Sequence, residues 1–460
     1  MDRYGTALRD LLFPAFERLR GRPTLGLMAY LARTQYASRD ELHAIQSGLL
    51  RRLVRHAHAH TAHYRAVMDA AGVGPGDVHT PADLRHLPVL DRAGAVASAQ
   101  TRMADAPPRV AVVKKTSGTT GEPMVIAYNA ESRHFRDAAR WRGYGWAGYQ
   151  MGHKAAHYWA QLAKPPTNPV TRAKIWLDHA AKRDLFLDST PRSDAHLRAA
   201  ADQIARFAPD VLVCYSQAGG DLARYVLRTG GRGQRWKETP VLCGAEQLLP
   251  HDRDALGQAF GPAFETYGCR EFQLVGSECE VHDGLHQSME NQIVELLVRA
   301  PGQPPRPAAP GETGEVVVTD LPNLACPMIR YVTGDLAVAR APAPCACGRT
   351  LDRIGPIQGR VTETMRDGAG NPVGGLLFSI LFVSITEHAR QFQAVQRADD
   401  TVVLRVVPVA AHLPDEAARI ARDFVGKYLP GIRFVIEEVT DIPLTAAGKR
   451  RLVVVGPKAR

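Results

Sequence analysis

Between residues 110 and 320 the chain alternates short β-branched or apolar runs, RVAVVKK, DVLVCYS, TPVLCGAE, QIVELLV and TGEVVVTDL, with longer stretches of helical character. Strand-length apolar runs separated by helices must bury their strands in a common sheet, and the helices must cover it. The region is therefore expected to form α/β layers around a largely buried sheet. With 460 residues, of which 45% are hydrophobic, the chain can enclose a sizeable core and divide into more than one folding unit.

The flanks read differently. Residues 1 to about 100 carry apolar positions at three- and four-residue spacing, as in ELHAIQSGLLRRLVRHAHAHTAHYRAVMDAAG, and predict an amphipathic helical lid or buttress. Within it His56 and His60 share a helix face, and His58 and His63 lie close by, but no carboxylate or cysteine completes a metal site in that segment. The Pro- and Gly-rich segment RAPGQPPRPAAPGETGE is expected to be a surface loop between strands. After IQGR comes a helix-like run, then a strand, turn and strand in FQAVQRADDTVVLRVVPV, a helix in DEAARIARDFVGKYL and a last strand in RFVIEEV. That is the plan of a small α+β unit of compact-domain size. The expected division is 1–358 for a large N-terminal domain and 359–460 for a small mobile one, with the boundary near Gly359 and Arg360.

The formal net charge of +10 is spread along the whole chain, without a basic face interleaved with aromatics, so a nucleic-acid partner is not expected. Nowhere do about 18 apolar residues run without a charge, so no membrane span is expected and the location is read as cytoplasmic. Seven cysteines, mostly in the second half, read as reduced thiols, some of them holding metal, and not as a secreted disulfide framework.

In KKTSGTTGEPMVIAYN, six small residues, Thr116, Ser117, Gly118, Thr119, Thr120 and Gly121, follow a strand-like run. Such a loop can offer backbone N–H groups and hydroxyls to an anion, although by composition alone an ordinary Ser/Thr/Gly turn is the favoured reading. Neither G-x-x-x-x-G-K-[ST] nor G-x-G-x-x-G is present. The loop resembles the [ST]-[ST]-G-[ST]-T-G signature of adenylate-forming enzymes, the acyl-CoA synthetase and adenylation-domain class. The later stretches ETYGCREF, TGEVVVTDL, PMIRYVTGDL, IQGR and PLTAAGKRR resemble that superfamily's further motifs in the same order. GLHQSMENQIVELL, CACGRTLDRI and FQAVQ are most similar to its phenylacetate-CoA ligase and CapK-like branch, over roughly residues 50 to 455.

The resemblance implies ATP-dependent activation of a carboxylic acid, aromatic by preference, to an acyl-adenylate with release of pyrophosphate, followed by transfer to the thiol of CoA. Residues 116–121 would hold the β,γ-phosphates, and Tyr267 and Gly268 would line the adenine pocket. Glu271 would hold Mg²⁺, Asp335 would accept from the ribose hydroxyls, and Arg360 would contact the nucleotide near the hinge. Lys449 would bridge ribose and α-phosphate. Two positions depart from the family pattern: Glu122 stands where relatives often carry Lys, and the acid after the hinge motif is Glu363. Alternatives stay open, namely an amine, a carrier protein or another small nucleophile as acceptor, or a degenerate protein that binds nucleotide or acyl ligand without turnover. His157, Tyr158, Trp159 and Tyr215 are candidate walls of the acyl pocket, or ordinary core. A homodimer is a further expectation.

Cys345 and Cys347 flank one alanine in PCACGRT, a turn that can aim two thiolates at one ion. A structural Zn²⁺ would need two more ligands. Cys279 and His286 of SECEVHDGLH are the candidates that the branch resemblance implies, with His282 and Cys326 in reserve, and buried inert thiols are the alternative.

Overall fold

The five strand runs picked out in the sequence divide among three sheets. In a computed structural model, the described residues are 2–115, 124–160, 168–191, 193–230, 237–299, 303–360, 365–370, 372–373, 377–385, 387–445 and 451–456. The largest sheet among them has eight strands, in the order Arg353–Ile354, Leu285–Gln287, Gln273–Ser277, Ala263–Cys269, Val241–Gly244, Val211–Tyr215, Ala155–Trp159 and Asp184–Asp188. The last five run parallel, and the chain then folds back antiparallel through Gln273–Ser277 and Leu285–Gln287 to Arg353–Ile354. Both faces are covered. The helices Asp194–Phe207, Ser216–Arg228 and Pro250–Ala259 share a core with Tyr158, Leu212, Cys214 and Cys243. Trp141 and Tyr144 of the helix Ala130–Trp146 pack with Ala155, Val211, Val213 and Leu242. Double coverage explains why Val211–Tyr215 and Val241–Gly244 are apolar without alternation, since they are buried at every position.

A five-stranded antiparallel sheet, ordered Arg306–Pro307, Gln292–Val298, Thr313–Asp320, Tyr331–Val338 and Ile357–Arg360, lies beside it. The predicted buttress is the helix Arg39–His60, whose Leu50, Leu53, Val54 and Ala57 pack on Ile293, Leu321 and Ile329. It starts at a capping box in which Ser38 and Glu41 satisfy each other's backbone N–H, worth about 1 kcal/mol. His56 and His60 lie together on it with ring centroids 4.8 Å apart, His60 pairs with Asp105 at 3.0 Å and His58 lies 3.6 Å from Asp69, while His63, on the next helix Ala62–Ala71, stands edge-on against Tyr64. The Pro-rich segment carries a short strand, Arg306–Pro307, pairing with Leu297 and Val298. No helix among the described residues is long and apolar enough to cross a membrane.

Residues 365–455 build a core of their own from Phe378, Leu381, Phe392, Leu404, Val406, Ala421 and Val425. The expected strand, turn and strand are Ala389–Gln396 and Val402–Pro408, the expected helix is Asp415–Tyr428, and the last expected strand is Phe434–Glu438. The last strand of its main sheet escaped the sequence reading. Val453–Val455 adds in parallel to Ala389–Gln396 and completes a four-stranded sheet. Three residues are too few to show a period of two.

Candidate active site

The Tyr267, Gly268 and Glu271 motif occupies a hairpin between the strands Ala263–Cys269 and Gln273–Ser277. The hairpin is irregular for visible reasons. Its register shifts between Tyr267 and Gly268, and a Cβ at Gly268 would run into the carbonyl of Gln273. Gln273 itself sits at φ 67, a left-handed conformation that a non-glycine residue adopts only where its surroundings hold it. The tight turn leaves Glu271 buried, with Oε1 3.4 Å from the Tyr331 hydroxyl. Burial, and next the charge of Glu271, push the Tyr331 hydroxyl pKa up, so that it remains a donor.

Asp335 lies on the neighbouring sheet, in Tyr331–Val338, directly opposite Arg360 of Ile357–Arg360. Its carboxylate accepts from the Tyr267 hydroxyl at 2.9 Å on Oδ2 and from Arg360 Nε at 3.2 Å on Oδ1. Thr333 joins the same group, since its hydroxyl lies 3.2 Å from that of Tyr267 and accepts from the Asp335 N–H at 3.2 Å. Four lone-pair sites on a carboxylate leave room for further donors beside these two. Burial, and then the Asp335 charge, raise the Tyr267 pKa, so this phenol too stays protonated. Three sequence-predicted residues, Tyr267, Asp335 and Arg360, thus meet at one carboxylate. Thr333 was missed, although it stands inside the quoted PMIRYVTGDL stretch.

The segment 116–121 lies outside the described residues, as do Glu122, Glu363 and Lys449. The ribbon that carries the loop is described: Val110–Lys115 pairs antiparallel with Val125–Asn129, and Lys115 faces Val125 at the loop end. The candidate acyl-pocket residues separate. Trp159 and Tyr215, at the C-terminal ends of adjacent parallel strands, stand edge to face with ring centroids 4.2 Å apart. Such strand ends are where open α/β sheets take ligands. Tyr158 is fully buried in the core beneath the covering helices, and His157 stacks on Phe186 and lies 3.3 Å from Asp184.

Cys279, His286, Cys345 and Cys347 form one group whose ligand atoms all lie within 4.8 Å of one another, the metal-binding geometry found among the described residues. Pairing of Arg353 with His286 and of Ile354 with Leu285 delivers the CACG turn to this point, where Gly348 takes φ 80. The Cys279 and Cys345 sulfurs are 3.8 Å apart, and Cys347 Sγ is 3.5 Å from His286 Nε2. Zinc bonds of about 2.3 Å to sulfur and 2.0–2.1 Å to nitrogen give a tetrahedron with edges of about 3.8 Å and about 3.6 Å. The donor set and spacing fit Zn²⁺. His286 Nδ1 donates to the Leu351 carbonyl at 3.3 Å, which turns Nε2 toward the cysteines in the arrangement usual for a ligating imidazole. Burial, aided by nearby arginines, lowers the His286 pKa to about 4 and keeps it neutral. The reserve candidates go elsewhere: His282 lies 3.1 Å from Glu278, and Cys326 is buried beside Arg102. All seven cysteines are unbridged.

No family model matches the chain. The phenylacetate-coenzyme A ligase of Thermus thermophilus is 28% identical over 391 residues, covering 82% of this chain and 82% of the relative. That of Aromatoleum evansii is 29% identical over 353 residues, covering 72% of each. Among solved structures, 2-hydroxyisobutyryl-CoA ligase in its postadenylation state superimposes with a TM-score of 0.73 at 18% identity, over 93% of this chain and 92% of that one. The anthranilate CoA ligase AuaEII gives 0.50 at 17% identity over 74% and 64%. Over most of its length the chain is thus similar to phenylacetate-coenzyme A ligases, and it shares the fold of the 2-hydroxyisobutyryl-CoA ligase.

Proposed function

We propose that this protein is an AMP-forming acid–thiol ligase that activates a carboxylic acid with ATP and transfers the acyl group to CoA. The observation that carries the reading is the convergence of Tyr267, Asp335 and Arg360 on one carboxylate, beside a hairpin that carries Glu271. Those groups belong to three separate motifs whose order matches the superfamily. In the first step a substrate carboxylate oxygen attacks the α-phosphorus, the bond to the bridging oxygen of pyrophosphate breaks, and acyl-adenylate forms. In the second, the CoA sulfur attacks the acyl carbon, AMP leaves with the bonding pair, and the thiol proton is released.

In this reading Asp335 orients the ribose, which fixes the α-phosphate for in-line attack. Residues 116–121 hold the β,γ-phosphates, and Lys449 stabilises the charge that develops at the α-phosphate. Glu271 is the residue for Mg²⁺, which when bound neutralises phosphate charge. Trp159 and Tyr215 form an aromatic wall that favours a flat acyl group. The four-ligand cluster would hold a structural Zn²⁺, with no open position for chemistry. We place the boundary of the small moving unit at residue 359, next to Arg360.

Exchange of labelled pyrophosphate into ATP with a panel of aromatic and small aliphatic acids tests the first step, and thioester formation from the best acid with CoA tests the second. Acid-dependent exchange and thioester are expected. Exchange without thioester would point to another acceptor, and AMP binding without exchange for any acid would leave a noncatalytic binding protein.

A further inference from the structure

Arg136 is almost wholly buried, on the helix Ala130–Trp146, and no motif includes it. Every arm of its guanidinium is engaged. Nη2 donates to Asp320 Oδ2 at 2.5 Å, Nε donates to the Ser132 hydroxyl at 3.0 Å, and Nη1 donates to the backbone carbonyl of Glu271. Ser132 in turn donates to Asp320 Oδ2 at 3.2 Å, and Asp320 is fully buried at the end of Thr313–Asp320. The guanidinium carbon lies 4.2 Å from the ring centroid of Tyr128, on the strand that returns from the 116–121 loop. One buried cation therefore touches the loop's ribbon, the hairpin of Glu271 and the end of the antiparallel sheet.

We propose that Arg136, locked by Asp320 and Ser132, is a positioning residue for Glu271, fixing the direction of the carboxylate assigned to the divalent cation. The inference rests on the reading of Glu271 as the Mg²⁺ residue. Its physical basis is the turn itself. Between Gly268 and Gln273 the carbonyl of Glu271 points out of the ladder, and a fixed donor there holds the 271–272 peptide plane and with it the direction of the Glu271 side chain. A planar fork held at both ends does this in a way a lysine ammonium does not, because the ammonium has no second rigid arm.

A second buried pair on the same helix supplies the control. Arg142 binds Glu290 through both nitrogens, at 2.6 Å and 2.9 Å, and makes no contact with the Glu271 hairpin among its described hydrogen bonds. The experiment is calorimetric titration of ATP, without acid substrate, into parent, Arg136→Lys, Arg142→Lys and Glu271→Gln proteins at stepped Mg²⁺ concentrations, with AMP in the absence of Mg²⁺ as the reference ligand. Arg136→Lys is expected to raise the Mg²⁺ concentration that half-saturates ATP binding by about tenfold or more, the usual cost of losing a residue behind a metal ligand. Its AMP affinity is expected to stay at the parent value, and Arg142→Lys should move neither quantity. Equal Mg²⁺ shifts in the two lysine variants would overturn the proposal and make Arg136 a core cation only. A shift in Glu271→Gln without one in Arg136→Lys overturns it while the Glu271 reading stands. No shift in Glu271→Gln removes that reading and the proposal together. Should Arg136→Lys not fold, Ser132→Ala removes the hydroxyl that bridges Arg136 Nε and Asp320 while keeping the buried ion pair, and the same comparisons decide.

Discussion

The Cys/His cluster and the proposed nucleotide cleft hang from the two ends of one strand. Glu271 lies two residues before Gln273–Ser277, and Cys279 lies two residues after it. At the Cys279 end, four side chains close on a single point within 4.8 Å, and three of them are buried. At the Glu271 end the groups are spread over two sheets, and Arg360, which pairs with Asp335, is half exposed. The first plan suits an ion that stays, since a closed tetrahedron admits nothing else. The second suits substrates that enter and leave, because polar groups at an open edge can exchange partners at little cost in burial. The strand Gln273–Ser277 between the two is the route by which order at one end would reach the other.

The comparison breaks most sharply at the cleft. Lys449→Ala is expected to slow acyl-adenylate formation by about two to three powers of ten, the size of one lost preorganised contact to developing charge, while the melting temperature stays where it was. Pyrophosphate exchange and a thermal melt measure both, and an exchange rate equal to the parent's would take Lys449 out of the mechanism. At the cluster the opposite split is expected. Cys347→Ser should lose the bound zinc, read by elemental analysis, and on the order of 3 kcal/mol of stability, with ATP affinity nearly unchanged. Zinc content at the parent level would end the comparison, because the cluster would then be a set of buried thiols. A fall in ATP affinity as large as the fall in stability would show that the strand transmits more than order.

These two sites were legible in the sequence to different degrees. Asp335 and Tyr267 were readable because the motifs around them are local, a few residues that the turn itself requires, such as Gly268 under the carbonyl of Gln273. The cluster was half readable: C-x-C is local, but choosing Cys279 and His286 over Cys326 and His282 took the branch resemblance, and the pairing of Arg353 with His286 that brings them together is long-range. Arg136 was not readable at all. A lone arginine on a helix looks like a solvated charge until Asp320, 184 residues away in sequence, is found beside it. The alternation of short apolar runs pointed to a buried sheet between helices, but it could not tell that QIVELLV and TGEVVVTDL pair antiparallel in a second one. Nor did it separate Tyr158, which is core, from Trp159, whose ring meets that of Tyr215 at the strand ends, because adjacent strand residues differ only in the face they take.

The smallest expected effect sharpens the comparison from within the cleft. Tyr267→Phe removes one hydroxyl that donates to Asp335 Oδ2 and lies within bonding distance of Thr333, and leaves the ring in its buried place. Arg360 still holds Oδ1, so the carboxylate loses half of its fixing and not its charge balance. A hydrogen bond to a charged acceptor contributes about 1.5–3 kcal/mol, but the freed Oδ2 lies where a ribose hydroxyl or water can replace the phenol, so a net loss of about 1 kcal/mol, roughly fivefold in AMP affinity, is expected. ATP and AMP should weaken by the same factor, since both carry the ribose that Asp335 is assigned. Titration calorimetry with the two nucleotides checks it. A loss confined to ATP would move Asp335 from ribose to phosphate recognition, and the cleft would need a different map.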